Sequence, residues 1–307
     1  MRDAFVAALI ELAREDSNVH LMTGDIGFGV LKPFWEEFPD QFTNAGIAEQ
    51  NMVSFAAGMA LEGKIVFVYS IGNFPTLRAL EQIRNDCAYH EANVKIVSVG
   101  GGFAYGALGM SHHATEDLAV MRALPNVTVV APSDSHQARA ATRAVYERPG
   151  TCYLRLGRGG EPALPESAAQ FRFGRAVRVA PGGDVAILFT GAIADEVMEG
   201  RSKLAALGIA AEIVTFPTIK PIDRAAIADL ARRFSVLATV EEHNVVGGFG
   251  SAVGEVLAEL RHPRARLVRI GLEDRYSSAV GSQEYLRDLY GMSAAKIAER
   301  VRHELGA

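Results

Sequence analysis

Short runs of almost unbroken apolar residues alternate with helix-period segments along most of this chain, and that alternation constrains its fold more than any other feature. "VHLMTG", "KIVFVYS", "VKIVSVGG", "VTVVAPS" and "TCYLRLG" read as strands in the first half. "RDAFVAALIELARE", "EQNMVSFAAGMALEG", "LRALEQIRNDCAYH", "DLAVMRAL" and "SHQARAATRAVYE" read as the helices between them. Strands apolar on both faces, each followed by a helix, predict an α/β fold with a mostly parallel sheet covered on both sides.

The rhythm breaks at 157–182, where "GRGGEPALPESAAQ" has no apolar period and reads as a linker. A second alternation follows: "DVAILFTG", a helix over 192–207, "AAEIVTFPT", a helix over 223–234, "VLATVEEH", a helix over 249–260, "ARLVRIG" and terminal helices. The expected organisation is two α/β domains, 1–160 and 175–307, joined by a linker over 161–174. With 307 residues, 49% of them hydrophobic, there is material for two cores.

The net charge of -5 with mixed signs gives no polyanion-binding surface, so no nucleic acid is expected. No apolar run reaches the ~18 residues of a membrane span, so no membrane is expected either. Met1 runs directly into an amphipathic pattern with no signal-peptide features, and the only cysteines are Cys87 and Cys152. The expected compartment is the reducing cytoplasm.

Parallel sheets gather ligands at the carboxyl ends of their strands. Asp25, Glu49, the turn carrying Phe74, the loop "GGGFAYGALGMSHHATED" and "RLGRGG" all fall there. Each has a plain structural reading beside a functional one. Glu49 is an acid in the first turn of a helix, where the helix dipole favours it, or a buried carboxyl that shares a proton with a ligand nitrogen. His112 and His113 are solvated loop residues, or His112 handles a proton or a hydroxyl. No Cys or acid completes a metal site around them. Arg155 and Arg158, either side of Gly157, are solvated charges or a phosphate clamp. Phe74 is core, or a stacking platform for a heteroaromatic ring.

"GIAEQNM" with its small-residue helix, the Gly-rich loop ending "SHHATED", "LAVMRALPNVTVVAPSD", "LRLGRGG" and "EEHNVVGGFGSAV" together resemble the transketolase family of thiamine-diphosphate enzymes. The resemblance covers nearly the whole chain and corresponds to the second half of a full-length member, its pyrimidine-binding domain plus its C-terminal domain. It implies a subunit that transfers a two-carbon ketol unit from a ketose, or its phosphate, to an aldose, or its phosphate. It also implies that Glu49 hydrogen-bonds N1′ of the cofactor's aminopyrimidine and favours the tautomer that takes a proton from the thiazolium carbon. By the same resemblance Phe74 stacks on the pyrimidine with Tyr69 nearby, and Asp25 lies close to the cofactor and a dimer interface. His112 faces the substrate, and Arg158 and Arg2 bind a sugar phosphate.

Two departures stand out. The Gly-Asp-Gly motif that holds the diphosphate and its Mg2+ in the family occurs nowhere in the sequence. The resemblance therefore implies a partner, an N-terminal transketolase subunit carrying that domain and the metal, in an α2β2 heterotetramer. Leu108 stands four residues before His112, where full-length members carry an acid that reads a donor hydroxyl. Donor stereopreference and donor identity are thus open. Three other readings remain beside the split transketolase: the beta subunit of a 2-oxoacid dehydrogenase, a deoxyxylulose-phosphate-synthase-like enzyme, and a non-enzymatic scaffold. His243, in "EEHNVVGGFG", reads as structural packing at an interface.

Overall fold

The computed structural model describes residues 1–168, 170–261 and 265–306. The first half provides β1 (Val19–Thr23), β2 (Phe42–Asn44), β3 (Ile65–Ile71), β4 (Val94–Val99), β5 (Thr128–Val130) and β6 (Cys152–Leu156). The second provides β7 (Val177–Ala180), β8 (Val185–Phe189), β9 (Ala211–Thr215), β10 (Thr218–Lys220), β11 (Val236–Asn244) and β12 (Arg266–Leu272). One sheet runs β10-β5-β6-β4-β3-β1-β2 and the other β12-β11-β8-β9-β7. Each is parallel except for one antiparallel edge strand, β10 in the first and β7 in the second.

Helices cover both sheets, as the apolar strands require. The helix Arg2–Glu15 buries Phe5, Val6, Leu9 and Leu12 on one stripe. Full burial of such a side chain stabilises the fold by roughly 1.5–3 kcal/mol. Those residues join Leu21, Phe67, Val97 and Leu154 in a core on one face of the first sheet. A second core lies on the outer face of the second sheet, around Phe189, Ile213 and Ile297. The third cluster belongs to neither half alone. It runs from Met52, Val68 and Met121 to Leu188, Phe216 and Phe249 without a break.

The structure departs from the sequence pattern in three places. "AAEIVTFPT" is not one strand. β9 ends before Phe216, and Pro217, which has no N–H to continue a ladder, turns the chain across to the other sheet. There Ala131 N donates to Pro217 O at 2.9 Å, and β10 pairs with β5. The stretch read as aperiodic holds β7, an edge strand of which only Val179 and Ala180 are buried. "LRALEQIRNDCAYH" is a short helix, Leu80–Gln82, that widens into π-helix over Ile83–Ala88. Its Asp86 accepts a 2.6 Å hydrogen bond from Ser54 on the helix Glu49–Leu61.

Candidate active site

β1, β2, β3, β4 and β6 are mutually parallel, so their carboxyl ends converge on one rim. Glu49 opens the helix that follows β2 and is 4% exposed. It sits where two loops come close. A Cβ on Gly24 would lie 3.2 Å from Gly46 O and 3.8 Å from Glu49 Cγ. Glu49 Oε2 accepts a hydrogen bond from Arg78 Nη1 at 2.8 Å. The Arg78 guanidinium lies 4.6 Å from the centre of the Phe74 ring. Phe74 in turn meets His112 edge-on, with ring centres 5.2 Å apart.

His112 is half-buried, and Ser111 Oγ lies 3.0 Å from its Nδ1. Burial, and then the neighbouring His113, hold its pKa below the ordinary histidine value, so it stays neutral near pH 7. Tyr105 lies 6.4 Å from His112, and the exposed Arg158 lies over the Tyr105 ring at 5.4 Å. A continuous series of side chains thus links Glu49 to Arg158 through Arg78, Phe74, His112 and Tyr105. On the other side of Glu49, Asp25 is exposed and held with a positive φ of 58°. Its N–H donates to Asn44 Oδ1 at 2.9 Å, and Asn44 Nδ2 donates to Asp25 Oδ1 at 3.0 Å.

The other residues singled out in the sequence stand outside this series of contacts. Tyr69 is 3% exposed and stacks on Phe5 at 6.0 Å, inside the core beneath the rim. Burial pushes its hydroxyl far above the ordinary tyrosine range. Arg2 pairs with Asp3 at 3.2 Å. Leu108 is 57% exposed on a short 3-10 turn. His113 is buried, with Nε2 3.1 Å from Gly106 O and its ring edge-on to Phe103, while its Nδ1 has no partner among the described residues.

Arg155 is neither a solvated charge nor a phosphate clamp. It is buried, and its Nε donates to Asp117 Oδ2 at 2.7 Å. Its Nη2 donates to Ala114 O at 2.9 Å and Glu242 O at 3.0 Å. Tyr153 donates to the same Asp117 carboxylate at 2.5 Å. His243 is fully buried in this seam between the halves, 3.9 Å from Asp117 and 3.7 Å from Glu241. The Glu241 carboxylate accepts the N–H groups of Phe249 and Gly250 at the start of the next helix, and burial raises its pKa. Sequence reasoning passed over Arg78, Asp117 and Glu242. For Asp117 and Glu242 the available signal was an acid next to a motif histidine or acid, in "SHHATED" and "EEH".

The donors suit one end of a thiamine cofactor. A buried carboxylate linked through Arg78 to an aromatic ring would suit an aminopyrimidine, which presents a ring nitrogen on its edge and a flat π face. Among the described residues no group of three His, Cys, Asp or Glu could hold a metal ion. Among them, too, no helix is long and apolar enough to cross a membrane.

Comparison with known proteins fits this geometry. Residues 1–161 match the transketolase pyrimidine-binding domain and residues 174–297 the transketolase C-terminal domain. One subunit of the apulose-4-phosphate transketolase of Phocaeicola vulgatus is 39% identical over 84% of this chain and 83% of its own. The 6-deoxy-6-sulfo-D-fructose transketolase subunit SqwH of Clostridium sp. is 34% identical over 99% of this chain and 94% of its own. A solved split-gene transketolase, described as an inactive beta4 tetramer, superposes with a TM-score of 0.88 at 37% identity, covering 99% of this chain and 97% of its own. Both halves match the same family along almost their whole length, and the chain belongs to the transketolase family.

Proposed function

We propose that this chain is the C-terminal subunit of a two-chain, thiamine-diphosphate-dependent transketolase of the cytoplasm. It moves a two-carbon ketol unit from a ketose or ketose phosphate to an aldose or aldose phosphate. The observation that carries the reading is Glu49, a buried carboxylate at the rim where the strands end, in line with Phe74 and His112. An N-terminal subunit supplies the diphosphate site and Mg2+, in an α2β2 heterotetramer. Support comes from two named relatives that are themselves single subunits, and from the lack of a metal-holding cluster among the described residues.

Bound at this rim, the cofactor supplies a carbon nucleophile at its thiazolium C2. The protein's part is orientation and proton control. The Glu49 carboxylate would hold a ring nitrogen of the aminopyrimidine and could share a proton with it. Arg78, 48% exposed, would have to leave Glu49 for solvent to make room. Phe74 would offer its ring face to the pyrimidine. Its present cover is the Arg78 side chain, so one movement frees both groups. Asp25, fixed through Asn44, borders the Glu49 side of the site. His112 is neutral, with Nδ1 beside Ser111, and presents Nε2 to a substrate hydroxyl. Arg158, with Arg2 as a second cation, receives a phosphate. Tyr69 supports the rim from below.

Two relatives act on different sugars, by their names, and Leu108 is the position to vary when asking which donor this chain takes. The test is to co-express the chain with a neighbouring gene product carrying Gly-Asp-Gly and to screen ketose donors. Activity is expected only with both chains together. Calorimetry with thiamine diphosphate and magnesium on the chain alone should show no stable binding, and tight stoichiometric binding would refute the two-chain reading.

A further inference from the structure

The loop that carries His112 is closed on itself at the base. Gly102 N donates to Ala114 O at 2.8 Å, and Ala114 N donates to Gly102 O at 2.9 Å. Residues 103–113 form the closed part, with Leu108 and Met110 exposed at its tip. A loop of this size has many conformations, so a fixed position for His112 needs restraints at the base.

Those restraints come from the second half of the chain. Phe103 N donates to Glu242 Oε1 at 2.5 Å, beside one end of the neck. Gly102 has a positive φ of 67°, and a Cβ there would lie 2.5 Å from the Glu242 carboxylate, so only glycine lets the two approach. At the other end, Arg155 Nη2 holds Ala114 O and the main-chain oxygen of Glu242 together. Asn244 N donates to Thr115 O at 2.8 Å, one residue further on.

The Glu242 carboxylate is itself oriented. It is 3% exposed and accepts from Gln283 Nε2 at 2.9 and 3.0 Å and from Arg287 Nε at 2.7 Å. Arg287 is anchored on Asp195 at 3.1 and 3.2 Å and on Ala192 O. A buried carboxylate is costly unless every oxygen is paired, and here both are. We infer that Glu242 is a positioning residue: it fixes the base of the 103–113 loop and thereby places His112 for the substrate. The inference rests on the substrate-facing role of His112 proposed above, and it gives the C-terminal half a task in substrate binding.

Glu242→Gln is the discriminating variant. An amide keeps one acceptor, so it can serve Phe103 N or Arg287 Nε but not both. Hydrogen–deuterium exchange on the full chain reads the loop without needing activity. Exchange of the 103–113 amides should rise about tenfold, with the rest of the chain unchanged, as for loss of a hydrogen bond to a charged group. In the two-chain complex the donor KM should rise about tenfold while the cofactor saturation constant holds. Gln283→Leu, which removes two hydrogen bonds and leaves the ion pair, should act in the same direction at about two- to threefold. It decides the matter if Glu242→Gln does not fold.

Unchanged exchange in 103–113 in both variants, or a rise throughout the chain in either, would overturn the positioning role. So would local loosening with a wild-type donor KM. If the wild-type complex turns over no ketose at all, the proposed activity fails on its own account, and the exchange pattern still decides whether Glu242 holds the loop.

Discussion

Arg78 and Glu49 form an ion pair of 2.8 Å in which Glu49 is 4% exposed and Arg78 is 48% exposed. The pair is lopsided: the carboxylate is fixed and the guanidinium can leave. A pair with one end in solvent contributes at most about 1 kcal/mol. Arg78→Met in the complex should therefore tighten thiamine diphosphate about two- to fivefold by removing a competitor for Glu49. Cofactor titration of the apo complex measures this. A loss of affinity of about tenfold would instead make Arg78 a ligand-binding group.

Glu49→Gln should fold normally and lower turnover about 10²–10⁴-fold, because an amide cannot share a proton with the ring nitrogen. Turnover near the wild-type value would return Glu49 to the plain role of an acid at a helix start.

Arg155 and Arg158 are three residues apart and should respond oppositely. Arg155→Met leaves Asp117 charged and unpaired in the interior, and should cost about 3–5 kcal/mol of stability, read by urea unfolding. Arg158→Ala should change stability by less than about 0.5 kcal/mol. It should raise KM for a phosphorylated substrate about ten- to a hundredfold more than for its unphosphorylated analogue. Equal effects on both sugars would mean that Arg158 does not bind phosphate.

Leu108 is an exposed apolar residue four positions before His112; if it stands where the family carries an acid, the site should discriminate weakly on the donor hydroxyl that such an acid would read. Leu108→Asp should favour common ketose phosphate donors over the natural one in a donor panel. Simple inactivation would show that the loop reads its donor differently.

His20 and His112 are both held below the ordinary histidine pKa, His20 by burial and then by Lys64. In the window between their depressed folded values and about 6.5, the unfolded chain binds protons that the folded chain does not. Stability should therefore fall as the pH drops from 7.5 towards 5.5. Thermal unfolding across that window should show the decline, and His20→Gln should flatten it.

The parallel architecture was legible because β1, β3, β4, β6, β8 and β11 are long enough and apolar enough to announce themselves. β10 was not, since three residues after a proline carry no period, and its partner β5 lies nearly ninety positions earlier. Glu49, Phe74 and His112 could be placed on one rim because each follows the end of a parallel strand. Tyr69 could not be told from them. It lies near the end of β3, but alternation along that strand turns its ring into the core towards Phe5. The seam of Asp117, Arg155 and Glu242 was hidden for a different reason. Charged letters are read as solvated unless their partners are visible, and these partners lie 38 and 87 positions apart in the chain.

The apolar cluster that runs unbroken from Met52 to Phe249, together with β10 stitched into the first sheet, bears on how this molecule can move. The two halves share that interior, so a hinge motion between them would have to break it. Separating the halves would expose that interior and the Asp117–Arg155 pair together. Opening a site on this rim to admit a sugar therefore falls to side chains such as Arg78, to the tip of the 103–113 loop, or to displacement of one whole chain against another.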